Sequence, residues 1–243
     1  MILDYKFYVG FKDINSKLEM KNSSMLTFFE NIAGMHASLV GDGFKESLET
    51  THTTWLLLSW KVKMFKRPEH GDNVIARTWV SSFKRVYSYR EFELLSEKGE
   101  LLGVCGTKWV KVDVEKGLPS RGAINMNGLY DTEERTNFPE GFDVRLSEPE
   151  THNFEYTYKI PLDWIDMNYH MNNTRYLTLA QYAFIENSLD FPEFDTFEIM
   201  YKKEVKYGET LKCFITREQD AFIVTVKSED EAVLHTIIKL YKQ

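Results

Sequence analysis

Hydrophobic and polar positions along the 243-residue chain fall into blocks, and the blocks come in the same order twice. Residues 4–12 read as a short strand. Over 23–40, Met25, Phe28, Phe29, Ile32, His36 and Leu39 recur at three- and four-residue spacing, which marks one face of a helix. Asn22, Ser23 or Ser24 is placed to cap its start, and Gly41 and Gly43 to stop it. Residues 54–66 then alternate, with Trp60, Val62 and Met64 against Lys61 and Lys63, so a long strand with one buried and one wet face is predicted. Three more strands are predicted near 73–83, 86–96 and 101–114, the last two separated by the turn Glu97-Lys98-Gly99-Glu100.

Residues 115–150 change character. Pro119, Pro139 and Pro149, four glycines and the acidic run Asp131-Thr132-Glu133-Glu134 read as a crossing segment, with a short helix expected near 131–136. The order then repeats: a strand over 152–160, a helix over 173–187 with Tyr176, Leu177, Ala180, Ala183 and Phe184 inward, and strands near 196–207, 210–217, 221–228 and 232–241. The first two long strands of each half meet at a similar turn, Glu69-His70-Gly71-Asp72 in one and Lys206-Tyr207-Gly208-Glu209 in the other. A matching turn at the same step of a duplicated order points to an internal repeat. The expected division is a first domain over 1–122, a linker over 123–150 and a second domain over 151–243. One long helix followed by an antiparallel meander suggests a sheet curled around that helix, the α+β hot-dog fold. A lone unit of this kind leaves a sheet edge open, so the expectation is a tandem (double) hot dog, paired within the chain as an intramolecular pseudo-dimer.

Composition narrows the class. Hydrophobic residues make up 43% of the chain, too many for disorder. No uncharged apolar run approaches the ~18–20 residues that span a bilayer, so no membrane insertion is expected. The start, Met-Ile-Leu-Asp-Tyr-Lys-Phe, shows neither a basic n-region nor an apolar h-region, and no signal peptide is expected. Cys105 and Cys213 fit no metal or redox spacing and make no disulfide framework, which makes the cytoplasm the expected compartment. The net charge of −7 argues against nucleic acid as a partner. Residues 1–122 nevertheless hold 18 basic and 15 acidic side chains, a net of +3, on an acidic protein. His36 reads as a core histidine; His52, His70, His152 and His235 form no metal spacing, and no metal or cofactor is expected.

The most informative stretch is Leu162-Asp163-Trp164-Ile165-Asp166-Met167-Asn168-Tyr169-His170-Met171-Asn172-Asn173-Thr174, just before the second helix. Asp166, Asn168 and His170 are spaced by two, which in an extended segment puts all three on one face. A carboxylate, an amide and an imidazole on one spot suit acid/base work, the imidazole tuned by the carboxylate and the amide holding an oxygen. Asn172-Asn173 would cap the helix start and leave its amides aimed nearby. A polar loop ending in an N-cap is the alternative reading of the same residues.

Asp166-Met-Asn168-Tyr-His170-Met-Asn172-Asn173, on a loop leading into the helix of a second hot dog, resembles the active-site motif of the fatty acyl-ACP thioesterases, the plant-type enzymes and their bacterial relatives. The likeness extends to Gly41-Asp42-Gly43-Phe44, Trp55-Leu56-Leu57, Arg67-Pro68-Glu69-His70-Gly71-Asp72-Asn73-Val74, Thr78-Trp79-Val80, Gly106-Thr107-Lys108-Trp109-Val110 and Tyr201-Lys202-Lys203-Glu204-Val205. It implies hydrolysis of a fatty acyl group from the phosphopantetheine arm of acyl carrier protein, with Asp166, Asn168, His170 and a strand residue, Glu204, at the site. Many plant members have Cys after that Glu; here Val205 stands there, so the resemblance implies direct attack by water rather than a thiol nucleophile. Whether Glu204 or Asp166 activates the water stays open. The equivalent loop of the first half has no His, and Glu19 falls near the His170 position. That half is expected to be catalytically silent and to lodge the acyl chain along Met25, Phe28, Phe29 and Ile32, with Trp55 and Leu57 opposite and Asn173 contributing from the second half. Arg67 with Lys66, Lys84 with Arg85, and Lys202, Lys203 and Lys206 are candidate contacts for the acidic carrier. An acyl-CoA thioesterase, a non-catalytic acyl-binding hot dog and a hot-dog dehydratase are the rival readings, and homodimer formation is left open.

Overall fold

A computed structural model describes residues 1–120 and 128–242. The expected domain boundary at 122 and the first residues of the expected linker, 123–127, lie outside the described residues. The chain forms two compact units, Met1–Asp143 and Val144–Gln243.

The first unit runs β1 (Leu3–Tyr8), α1 (Asn22–Leu39), α2 (Phe44–Thr51), β2 (Thr53–Met64), β3 (Asn73–Lys84), β4 (Tyr87–Ser96) and β5 (Leu101–Asp113). Its strands lie in the order β1-β3-β4-β5-β2, every pair antiparallel. Most of the stripe predicted on α1 is buried: Met25, Phe28, Phe29, Ile32 and His36 face inward, whereas Leu39, the last residue of the helix, is exposed. Phe28 stacks on Phe7 of β1 at 4.4 Å and Phe29 on Phe92 of β4 at 4.8 Å. Each such ring removed from water stabilises the unit by roughly 1.5–3 kcal/mol. The helix thus touches both the edge strand and a central strand, as a sheet curled around it requires.

The second unit runs β6 (Phe154–Lys159), a single 3-10 turn (Leu162–Trp164), α3 (Arg175–Glu186), β7 (Thr196–Tyr201), β8 (Thr210–Arg217), β9 (Ala221–Ser228) and β10 (Leu234–Tyr241). Its order, β6-β8-β9-β10-β7, repeats that of the first unit, again all antiparallel. The α3 helix buries Tyr176, Leu177, Leu179, Ala180, Ala183 and Phe184. Phe184 sits among Phe191, Phe194 and Phe222.

The repeat holds at the level of single hydrogen bonds. The Val9 amide donates to the Asp72 carbonyl (2.9 Å) and the Gly71 amide to the Val9 carbonyl (3.0 Å). In the second unit the Ile160 amide donates to Glu209 (2.9 Å) and the Gly208 amide to Ile160 (3.2 Å). Gly71 and Gly208 both have positive φ, +94° and +78°, which is why glycine stands at this turn in each half.

Three elements differ from expectation. Helix α2 was not predicted; it is mostly exposed, burying only Ser47, and so shows no apolar stripe to read. Residues 131–136 form no helix. Together with the rest of 128–143 they run as an irregular strap on the first unit, because their polar groups bond to the sheet. The Glu133 amide donates to the Val80 carbonyl (2.9 Å), Trp79 Nε1 donates to the Arg135 carbonyl (2.9 Å), and Arg135 pairs with Glu93. Finally, β7 stops at Tyr201, so Glu204 lies on the loop after the strand rather than in it.

A buried polar hub closes the far end of α1. The Asp42 carboxylate accepts hydrogen bonds from Trp55 Nε1 (2.8 Å), Tyr130 Oη (3.0 Å), Ser47 Oγ (2.9 Å) and Lys111 Nζ. Its charge is paired and its lone pairs are filled, which is what allows it to be buried at all.

Candidate active site

The 162–174 segment is not extended. The Asp166 amide donates to the His170 carbonyl (2.8 Å), the Tyr169 amide donates back to the Asp166 carbonyl (3.0 Å), and Ile165 bridges Met171. Tyr169 takes φ +62° to close this turn. The Asp166 carboxylate accepts the Asn168 amide at 2.7 Å, the local bond through which Asp favours turns over strands. Alternation therefore does not set Asp166, Asn168 and His170 on one face. A tight turn bonds Asp166 to His170 through the backbone instead. Asp166, Asn168 and His170 are half-buried, while Tyr169 at the tip is 83% exposed.

Two bonds tie this loop to the end of β7 and the segment after it. The Met171 amide donates to the Val205 carbonyl (2.8 Å), and Tyr201 Oη donates to the Asn173 carbonyl (2.8 Å). His170 and Glu204 each lie one residue from an end of the first bond, so the fold brings Glu204 to the loop. Glu204 is exposed and Val205 fully buried. Burial holds the phenol of Tyr176, in the first turn of α3, above its ordinary value, and the charges of Glu204 and Glu209 reinforce the shift.

The helix start departs from the expected cap. Asn172 Oδ1 accepts from the Thr174 amide (2.9 Å) and the Thr174 hydroxyl (2.7 Å), so it orders the residue before α3 rather than capping inside it. No acidic residue occupies the first turn of α3. Its amide end keeps its partial positive charge beside the loop.

The first unit builds the same turn from different side chains. The Asn15 amide donates to the Glu19 carbonyl (2.8 Å), the Leu18 amide to Asn15 (3.1 Å), and Ile14 bridges Met20. Leu18 has φ +66°. Asn15 Oδ1 accepts the Lys17 amide (2.9 Å), and the Met20 amide donates to Pro68 (2.8 Å). Matching these bonds pairs Asn15 with Asp166, Lys17 with Asn168, Glu19 with His170 and Arg67 with Glu204. The backbone is duplicated and every one of these four side chains is replaced.

The remaining candidates are placed as follows. Met25, Phe28, Phe29 and Ile32 share the buried face of α1; Leu57 is buried on β2. Trp55, also on β2, is held at the far end of α1 by Asp42. Asn173 is half-buried at the end of the loop. Cys213 is buried on β8, and its burial pushes the thiol well above its ordinary value. Tyr201 was legible only as the first residue of the run Tyr201-Lys202-Lys203-Glu204-Val205, and its bond to Asn173 was not.

Two units, each a helix against a five-stranded antiparallel sheet of the same strand order, define a double hot dog. Residues 2–123 match the acyl-ACP thioesterase N-terminal domain and residues 147–241 the acyl-ACP thioesterase C-terminal domain; the chain belongs to this family. It is 23% identical, over 227 residues, to oleoyl-acyl carrier protein thioesterase 1, chloroplastic, of Arabidopsis thaliana, covering 87% of this chain and 62% of that protein. The chain thus spans a little over three-fifths of the length of the curated relatives it matches. A crystal structure of an acyl-ACP thioesterase from Bacteroides thetaiotaomicron has the same fold, with TM-score 0.82 at 21% identity, over 99% of this chain and 97% of that one. So does the 12:0-ACP thioesterase from Umbellularia californica, with TM-score 0.82 at 14% identity, over 99% and 96%.

Proposed function

We propose that this chain hydrolyses fatty acyl-ACP thioesters to free fatty acid and holo-ACP, by water attack without a cysteine nucleophile. The observation that carries the reading is the duplicated turn: one backbone built twice, with Asp166, Asn168, His170 and Glu204 brought to it only in the second unit. The relatives' names, which specify acyl carrier protein, favour that carrier over CoA. A binder would have no use for acid/base groups at this turn.

In this reading a water oxygen attacks the thioester carbonyl carbon, the C–S bond breaks, and the pantetheine thiol leaves with a proton. Asp166 already accepts a bond within its turn, so its part is to hold the loop that carries His170. Glu204 is exposed beside the loop and takes the role of polarising water, with His170 carrying the proton between water and leaving sulfur. Asn168 and the amide end of α3 stabilise the developing oxyanion. Val205 and Cys213 are buried and leave no thiol to attack. The first unit lodges the acyl chain along α1, with residues 1–122 as the binding domain and 151–243 as the catalytic one. Two free cysteines suit a reducing cytoplasm.

The test is hydrolysis of an acyl-ACP length series, with the matching acyl-CoA series beside it, by wild type, His170→Ala and Glu204→Ala. We expect kcat to fall by about a hundredfold or more in each variant, the scale of a lost general acid or base. Full activity in His170→Ala would sink the site assignment, and faster turnover of acyl-CoA would sink the carrier assignment.

A further inference from the structure

Side chains at equivalent places in the two units show what Glu204 has been released from. In the first unit the residue at its place, Arg67, holds the entry to the helix. Its Nη1 donates to the Met20 carbonyl (3.2 Å) and to Oδ1 of Asn22, the first residue of α1 (2.9 Å). These bonds pin the end of the duplicated turn to the segment that follows β2. An ionised carboxylate has no proton to give, so Glu204 cannot make them.

The second unit holds the same point from three residues earlier. Tyr201, the last residue of β7, donates its hydroxyl to the carbonyl of Asn173, the counterpart of Asn22. The ring of Tyr201 is fixed edge-on against Tyr176, centroids 5.4 Å apart and planes at 64°. Tyr176 is itself 2% exposed in the first turn of α3. In the first unit Met64 ends β2 at the place of Tyr201 and has no donor to offer.

We propose that Tyr201 is a positioning residue of the site: its hydroxyl takes over the clamp on the helix entry that Arg67 supplies in the first unit, and so frees the place of Glu204 for a reacting carboxylate. This rests on the thioesterase reading for its kinetic part. The clamp orders the Asn173 carbonyl, and through it the loop that carries Asp166, Asn168 and His170. It touches no substrate.

Tyr201→Phe in the full chain tests this, because it keeps the ring against Tyr176 and deletes only the hydroxyl. Using the acyl-ACP that wild type turns over fastest, kcat should fall about tenfold to a hundredfold with KM roughly unchanged, as for a site displaced by a fraction of an ångström to an ångström. Amide hydrogen exchange over 166–174 should quicken, while thermal unfolding stays near wild type. Adding Glu204→Arg to Tyr201→Phe should restore the slow exchange, by rebuilding the first unit's clamp, but not kcat. Unchanged kcat, unchanged exchange, or a fall in kcat matched by a loss of folded protein would each overturn the proposal. If wild type hydrolyses no acyl thioester, the thioesterase reading fails, and the exchange measurements still decide the clamp.

Discussion

His36 shows how one residue's surroundings decide its chemistry. It sits on the apolar stripe of α1, fully buried, with Nδ1 2.8 Å from Arg90 Nη1 and the Tyr130 ring edge-on at 5.5 Å. Arg90 can only donate, so His36 is neutral and accepts at Nδ1. Burial first, and the Arg90 charge second, lower its pKa from 6.5 to about 3. The unfolded chain therefore takes up this proton before the folded one does. The stability that depends on neutral His36 is complete above the unfolded pKa and is lost progressively as pH falls from about 6.5 towards 3. His36→Gln can keep the acceptor and cannot titrate. We expect urea unfolding to show wild type losing stability relative to this variant on acidification from about pH 7 to about pH 4. A difference that does not change with pH would show that His36 does not titrate on unfolding. The helical spacing made His36 legible as a core residue. Its partner was not legible, because Arg90 reaches it from a strand far along the chain.

At the scale of elements, the strap and the motif loop make the same point from opposite sides. Residues 128–143 carry the Pro, Gly and acidic composition of a linker, yet Phe138 and Phe142 are buried against Tyr89 and Val104 of the first sheet. Asp143 accepts from Tyr89 Oη (3.1 Å) and Lys108 Nζ (2.9 Å) and so ties down the strap's end. Composition reports solvated backbone, and this segment finds its partners in the sheet instead of in water. Gly106 marks how closely it lies: a Cβ there would stand 2.5 Å from the Phe142 ring. Gly106→Ala is expected to destabilise the protein by about 1–3 kcal/mol, the cost of overpacking, in chemical denaturation. Adding Phe142→Leu should recover part of that loss; full stability in Gly106→Ala alone would show that the Phe142 ring does not pack against Gly106. The motif loop was recognised from its residues, but its shape was misread. The i, i+2 spacing suggests one face of a strand, whereas the Asp166 side chain captures the Asn168 amide and folds the segment into a turn.

For the whole molecule the question is how an acidic chain would meet an acidic carrier. Several cations proposed from sequence are already committed. Arg67 holds the helix entry, Lys66 pairs with Glu100 (3.2 Å), and the Lys84 ammonium lies over the Tyr89 ring (5.2 Å). Lys202, Lys203 and Lys206 are exposed around Glu204, with no salt bridge among the described residues. They are the better-placed candidates, although they belong to the unit whose sequence is net acidic. We expect kcat/KM for acyl-ACP to fall as salt rises, because encounter of opposite charges is screened. Replacing the three lysines by Ser should lower kcat/KM and flatten the salt dependence. An uncharged acyl-N-acetylcysteamine thioester should be indifferent to both changes. An unaltered salt slope in the triple variant would remove these lysines from docking.

By itself the sequence determined the one long helix and the strands of each half, though not α2, the glycine turns at Gly71 and Gly208, most of the buried face of α1 and the motif that names the family. These are local signals: periodicity, positive φ and a short run of residues act within a few positions of one another. Tertiary structure alone decided the rest. The turn that joins Asp166 to His170 depends on which backbone groups find partners. The Asp42 hub, the strap on the first sheet and the contrast between Arg67 and Tyr201 join residues tens of positions apart. Such bonds follow from which strands lie side by side, and no window of sequence records that. The same backbone turn is built twice here, and the two copies differ in which side chain holds the helix entry, Arg67 in the first unit and Tyr201 in the second.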